Sequence, residues 1–182
     1  MKRITIFNGN PNTEDCDFED YISELSSHLE NDGSKVSIFR LRELRVQRCV
    51  GCYSCWVKTP GLCIYRDDVD LLFRSYINSD FVVYSTPIIL GLISPILKNV
   101  NERMFPPVMH PLIKVENGRM QHLSRYEKYP RSCLLLGRTG DFGPGAVDMI
   151  HNIYSMPKYR RLLFTRTMES TTKEVSNEIS SL

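Results

Sequence analysis

Four cysteines fall between residues 49 and 63, at Cys49, Cys52, Cys55 and Cys63, in the spacing C-x2-C-x2-C-x7-C. Thiols this close can turn around one centre, and the fourth can close it after a longer arc. Four cysteine ligands suit a [4Fe–4S] cluster. Structural zinc sites more often use two C-x2-C knuckles about a dozen or more residues apart, so the spacing favours iron and sulfide over zinc. Two further readings stay open: the thiols pack as small buried hydrophobes, or they form a reversible disulfide. Trp56 would then be an aromatic anchor and Thr59-Pro60-Gly61-Leu62 a turn. The other two cysteines, Cys16 and Cys133, fall on an expected helix start and an expected strand, and read as core residues.

The chain that must position these thiols has 182 residues, the length of one domain (1–182) with a proper core. Its 42% hydrophobic and 24% charged content is that of an ordinary soluble protein. A net charge of +2 gives no reason to expect a nucleic-acid or membrane partner. The opening MKRITIFNGN has an apolar run too short for a signal-peptide core or a membrane span. The expectation is therefore a cytoplasmic protein, where clustered cysteines serve metal or redox chemistry more often than structural disulfides. No Ser-His-Asp arrangement, Walker loop or HExxH motif supports a hydrolase, kinase or metalloprotease.

Strands and helices alternate along the chain. RITIFN (3–8) reads as a buried strand that ends in the turn Asn8-Gly9-Asn10-Pro11. Phe18, Tyr21, Ile22, Leu25 and Leu29 lie on one helical face, with Asp17 and Asp20 as a capping arrangement and Gly33 as a stop. KVSIF (35–39), DFVVYS (80–85), RSCLLLG (131–137) and RRLLFTRT (160–167) are the other strands. Helices are expected from Asp67, as a cap, through Ile77; over LGLISPILKNVNERMF (90–105), with Pro95 early in it or kinking it; over about 146–156; and at the C-terminus, where Thr171 and Glu174 form a capping box. Pro106, Pro107 and Pro111 argue against a long helix in the segment 106–130, and Asn117-Gly118 signals a type I′ hairpin inserted there. This order predicts an α/β fold: a flavodoxin-like, three-layer, doubly wound parallel sheet of five strands, order 2-1-3-4-5, with a small hairpin insert.

In such a sheet a ligand sits beyond the carboxyl ends of the strands, at the point where strand order reverses. Three loops meet that description: 8–16, 85–92 and 137–145. The sequence there resembles the flavodoxin-like NAD(P)H-dependent FMN reductases and their iron–sulfur flavoprotein branch, over nearly its whole length. NGNPN (8–12) stands at the family's Gly-Ser-Pro-Arg phosphate loop, and the cysteine stretch 49–68 is the most specific marker. Thr86, Pro87, Gly91, Leu97, Lys98, Glu102 and Arg103 follow the family's Ser-Pro-x-Tyr-x-Gly, Leu-Lys and Asp-Arg pattern. TGDFG (139–143) falls on the third flavin loop.

The resemblance implies an FMN-dependent oxidoreductase. It would take electrons from NADPH or NADH, pass them to a small-molecule or protein acceptor, and work as a homodimer. FMN would be held by Gly9, Asn10, Pro11, Asn12 and Thr13; by Thr86, Pro87, Ile88, Ile89, Leu90 and Gly91; and by Thr139, Gly140, Asp141 and Phe142. Cys49, Cys52, Cys55 and Cys63 would be the metal ligands, and no catalytic side chain is required, since the flavin carries the chemistry. This sequence departs from the family at two places. Asn10 and Asn12 replace the phosphate-loop Ser and Arg, and Glu14, Asp15, Asp17, Glu19 and Asp20 follow. A helix N-terminus offers roughly half a positive charge, while two unit charges 4 Å apart repel by about 1 kcal/mol in water and more in a partly buried site. Ile89 stands where the family has Tyr, leaving Tyr84 and Phe142 as compensating aromatics. The alternative is a degenerate flavodoxin-fold protein that holds no FMN tightly and uses its cysteine loop for metal, thiol redox sensing or partner contact. His122 in the insert belongs to a dimer contact or solvated hairpin rather than a lid over the flavin, and Asp67 to a helix cap rather than an acid pair with Asp68.

Overall fold

A computed structural model describes residues 1–116, 118–155 and 161–182 of the chain. Five parallel strands form the main sheet: β1 (Arg3–Asn8), β2 (Lys35–Arg40), β3 (Phe81–Thr86), β8 (Arg131–Leu136) and β9 (Leu162–Thr167), in the order β2-β1-β3-β8-β9. That is the expected 2-1-3-4-5 order, with the reversal between β1 and β3. The sheet is flavodoxin-like and doubly wound, with helices on both faces.

The three central strands are buried on both faces, as a covered parallel sheet requires, and their side chains alternate with the strand period of two. Ile4, Ile6, Phe81, Val83, Cys133 and Leu135 pack against helices α1 (Cys16–Asn31) and α6 (Thr172–Ser181). Phe7, Val82, Tyr84, Leu134 and Leu136 face the opposite core, built with α3 (Val69–Ile77), α4 (Pro95–Val108) and α5 (Gly143–Ser155). Cys133 is thus a core residue, as expected, and burial pushes its thiol far up. Tyr84 is 1% exposed and packs edge-on against Tyr154, so it has no access to a ligand above the strand ends. Its place on the inward face of β3 overrides the compensating role expected for it.

Several local expectations are corrected. Helix α1 begins at Cys16, and the side chain of Asp15 caps it by accepting from the Phe18 amide at 3.2 Å, in place of the Asp17/Asp20 arrangement. Cys16, at the first helical position, is exposed and not in the core. Residues 90–93 are not helical. Short strands β4 (Ile88–Ile89) and β5 (Leu92–Ile93) pair antiparallel around Leu90 and Gly91, whose φ values are 51° and 75°. Two successive positive φ values are those of a type I′ turn, which explains the glycine; Leu90 holds the same left-handed region with a side chain. Pro95 then opens α4 as its first residue, capped by Ser94, whose Oγ accepts from the Leu97 amide at 3.3 Å. The helix runs on to Val108 through Pro106 and Pro107, so these prolines end it within a turn instead of barring it. The insert hairpin is present as β6 (Met109–Glu116) and β7 (Arg119–Ser124); Asn117 lies outside the described residues. The Thr171–Glu174 capping box is formed as expected.

Candidate functional site: a four-thiol cavity beside the strand-end loops

The cysteine stretch leaves the sheet after β2 and holds one short helix, α2 (Ser54–Val57). Its four thiols line a single cavity of about 610 Å³, shared with Trp56, Tyr65, Glu102 and Arg103. Cys49 and Cys52 are exposed, Cys63 is half-buried and Cys55 is buried, so the ring of thiols has an open and a closed side. The environment separates them electrostatically. Hydrogen bonds from the Ser54 side chain and amide hold the Cys52 thiol below its ordinary value. Burial, then the neighbouring Cys63, pushes Cys55 up. The Thr59–Leu62 turn is closed by a 2.8 Å amide bond, and the Trp56 ring sits 5.1 Å from that of His122 on β7. His122 therefore borders this cavity.

A buried ion pair clasps the base of the loop. Arg103 on α4 is 2% exposed, and its Nη1 and Nη2 donate to the two oxygens of Asp67 at 2.9 and 3.0 Å. The same guanidinium donates to the carbonyls of Gln47 at 2.7 Å and Tyr65 at 3.4 Å, so one side chain ties both ends of the loop together. Asp67 also accepts from the Gln47 amide at 2.9 Å and from the Val69 amide at 3.2 Å. Asp67 is not the cap expected of it: it lies one residue ahead of Asp68, the α3 N-cap, and its bond from the Val69 amide spans only two residues. Burial raises its pKa, but the bonds from Arg103, Gln47 and Val69 outweigh that and hold it below the usual carboxylate range. Asp68 is no acid partner to it: its carboxylate accepts from the Arg45 amide at 2.7 Å. Nothing in the sequence pairs residue 67 with residue 103, which come together only because α4 lies beside the loop.

The strand-end loops are organised differently. Gly9 is packed so closely that a Cβ there would stand 2.9 Å from Leu97 Cβ and 3.0 Å from the Ser85 carbonyl. Beyond it, Asn8, Asn10 and Asn12 each accept, through Oδ1, from the amide two residues on, at 2.9, 3.0 and 3.0 Å. Asn8 and Asn10 also donate from Nδ2 to the Glu19 carboxylate, which receives Arg42 at 2.7 Å and Arg40 at 3.3 Å. Asn10 is buried; Pro11, Asn12 and Thr13 are exposed. In the second loop Thr86 is buried and accepts from the Ser94 amide at 2.8 Å, which pins the β4–β5 turn with Ile88 and Ile89 half-buried and Leu90 fully out. In the third, the Thr139 amide and hydroxyl both donate to Glu169, at 2.9 and 3.1 Å, Gly140 has φ 51°, and the Phe142 ring lies 4.0 Å from where a Gly91 Cβ would stand. The side chain of Asp141 is outside the described set. Between these loops lies a cleft of about 240 Å³ bordered by Pro87 and Ile88, but also by Asp15, Asp17, Gly137 and Arg138, which the sequence reasoning did not single out as ligand contacts.

No family model matches the chain. An iron–sulfur flavoprotein of Archaeoglobus fulgidus is 32% identical over 90 residues, which cover 50% of this chain and 40% of that protein. A second from the same organism is 27% identical over 103 residues, 57% of this chain and 48% of that protein. Over these stretches the chain is similar to the iron–sulfur flavoproteins. It spans less than half the length of these curated relatives. Among solved structures, an NAD(P)H:quinone oxidoreductase from Methanothermobacter marburgensis superposes with a TM-score of 0.68 at 10% identity, covering 98% of this chain and 93% of that one. An FMN-dependent NADH-azoreductase from Bacillus anthracis, solved with FMN, gives 0.66 at 10% identity over 100% and 98%. At that identity the structures establish the fold, which is that of the flavodoxin-like reductases.

Two groups are implied, and the residues treat them differently. Among the described residues no three His, Cys, Asp or Glu side chains form a group ready to grip one metal ion. The four thiols instead surround a space far larger than a single ion needs, and the buried Nε of Arg103 in its wall has no hydrogen-bond partner. An all-thiolate donor set fits an anionic cluster, and the Arg103 Nε is the donor left beside it once Asp67 has taken both Nη groups. For the flavin, Pro87 and Ile88 border the cleft between the loops, and Phe142 stands near Gly91 at the turn of the second loop. The first loop does not fit a phosphate: three of its amides, with Asn8 Nδ2 and Asn10 Nδ2, are already bonded to protein oxygens. The expectation that loop amides would hold FMN by its phosphate meets that obstacle at residues 10, 12, 14 and, in the third loop, 139.

Proposed function

We propose that the chain is an oxidoreductase with two neighbouring centres, a flavin at the strand ends and an iron–sulfur cluster held by Cys49, Cys52, Cys55 and Cys63. NADPH or NADH is the electron donor and a small molecule or protein the acceptor. The observation that carries this reading is that all four cysteines line one cavity, with Arg103 in its wall. Helix α4 links the two regions: Leu97 packs on Gly9 of the first loop, and Arg103, six positions on, stands about 9 Å further along the axis at the cysteine cavity. When bound, a flavin takes electrons in pairs and a cluster singly, so together they couple a hydride donor to one-electron steps. The chain's own part is positional. Arg103 and Asp67 fix the loop ends, Ser54 favours the thiolate of Cys52, and Thr86 with Ser94 sets the β4–β5 turn beside the strand-end cleft. The resemblance supports a single-domain cytoplasmic homodimer; exposed Ile113, Val115 and Met120 on the insert supply apolar surface for such a contact.

The second reading, a flavodoxin-fold protein whose cysteine loop binds metal or senses redox state without tight flavin, draws on the satisfied first loop. NAD(P)H oxidation measured with added flavin and a quinone separates the two. Turnover well above that of free flavin supports the oxidoreductase; turnover equal to free flavin leaves only the second reading.

A further inference from the structure

Resting on that flavin reading, we propose that this chain selects a flavin without a terminal phosphate, riboflavin in its simplest form, and excludes FMN by the charge and hydrogen-bond sense of its first loop. Three observations converge. Four donors of the loop and helix start are spent: the amides of Asn10, Asn12 and Glu14 go to asparagine oxygens, and that of Phe18 to Asp15. Arg40 and Arg42 are spent as well, because Glu19 serves as their internal anion. Its side chain is 18% exposed and takes Arg42, Arg40, Asn8 and Asn10. Burial alone would raise its pKa, yet the bonds from Arg42, Asn8 and Asn10 hold it below the usual carboxylate range, so it stays charged at neutral pH.

The cleft beyond the loop completes the selection. It is bordered by the carboxyl groups of Asp15 and Asp17 against one cation, Arg138. A carboxylate only accepts hydrogen bonds, and so does a phosphate dianion. The two repel, and neither can donate a hydrogen bond to the other. The hydroxyls of a ribityl tail donate, and acceptor carboxylates suit them. Thr139 adds no free donor, since its amide and hydroxyl are both directed to Glu169.

The test is quenching of flavin fluorescence by the full chain, titrated separately with riboflavin and with FMN. Riboflavin should bind at least about tenfold tighter, a ratio worth about 1.4 kcal/mol. The double variant Asp15→Asn, Asp17→Asn removes both charges while keeping a good helix cap at position 15; it should strengthen FMN by about tenfold and weaken riboflavin, whose hydroxyls lose charged acceptors, so that the preference for riboflavin disappears. FMN binding as tightly as riboflavin, or a variant with an unchanged ratio, overturns the selection and leaves the flavin reading standing. No quenching of either flavin overturns both.

Discussion

The cysteine loop and the first strand-end loop are built alike at the base and oppositely at the tip. Each is fixed by an arginine–carboxylate pair: Arg103 with Asp67 in the first case, Arg42 with Glu19 in the second. In the cysteine loop the pair consumes the polar atoms of the flanks, at Gln47, Tyr65 and Val69, and leaves four thiols on an open cavity. In the strand-end loop the pair reaches into the tip itself, through Asn8 and Asn10, and the tip amides turn inward to asparagine oxygens. One loop is satisfied at its base and receptive at its tip. The other has the amides of Asn10, Asn12 and Glu14 already bonded within the chain. Sequence motifs for ligand loops therefore need a further question: whether the polar groups of the loop have partners within the chain.

The most forceful way to break the comparison is to remove the clasp of the cysteine loop. Arg103→Leu leaves Asp67 as a buried charge without its partner, a loss of about 3–5 kcal/mol by urea unfolding. Limited proteolysis should then cut between residues 47 and 66. An additional Asp67→Leu should recover much of that stability, because the stranded charge is gone. The same operation on the other pair should be milder, since Glu19 and Arg42 are partly exposed. Glu19→Gln removes charged hydrogen bonds worth about 1.5–3 kcal/mol and frees the asparagines of the first loop.

Acid separates the two pairs from the rest of the surface. Glu19 and Asp67 both have folded-state pKa values below those of the unfolded chain. The unfolded chain then binds more protons, so the stability they contribute is full at neutral pH and is lost as pH falls through the ordinary carboxylate range toward the folded values. Urea midpoints between pH 7 and pH 3 should fall in the wild type and fall less in Glu19→Gln. An equal fall in both would show that Glu19 is not the internal anion. The smallest effect is a control distant from both loops: Thr171→Ala opens the α6 capping box at about 1 kcal/mol and should change neither iron content nor flavin binding.

The fold was readable because its signals are local and periodic. The two-residue alternation in β1, β3 and β8 and the 3.6-residue face of α1 come straight from the order of side chains, and the Thr171–Glu174 box from a spacing of three. The cysteine spacing carried one half of the site for the same reason. What the sequence hid is tertiary. Asp67 and Arg103 are 36 positions apart, and Glu19 and Arg42 are 23 apart. Neither pairing has a sequence period. Tyr84 was available on paper to stack on a ring, yet its face of β3 belongs to the core. The acidic run 14–20 was legible as a problem for phosphate, but which of its members acts and how depends on burial: Glu19 turns in toward two arginines, while Asp15 and Asp17 border the cleft.

The most direct test is one spectrum with a metal count: the chain purified anaerobically, its iron, acid-labile sulfide, zinc and bound flavin quantified on the same sample. The account predicts iron and sulfide in equal amounts at one [4Fe–4S] per chain, lost in Cys55→Ser, and no stoichiometric FMN. A sample with zinc or no metal at the four thiols, or one that carries a full equivalent of FMN, would contradict it.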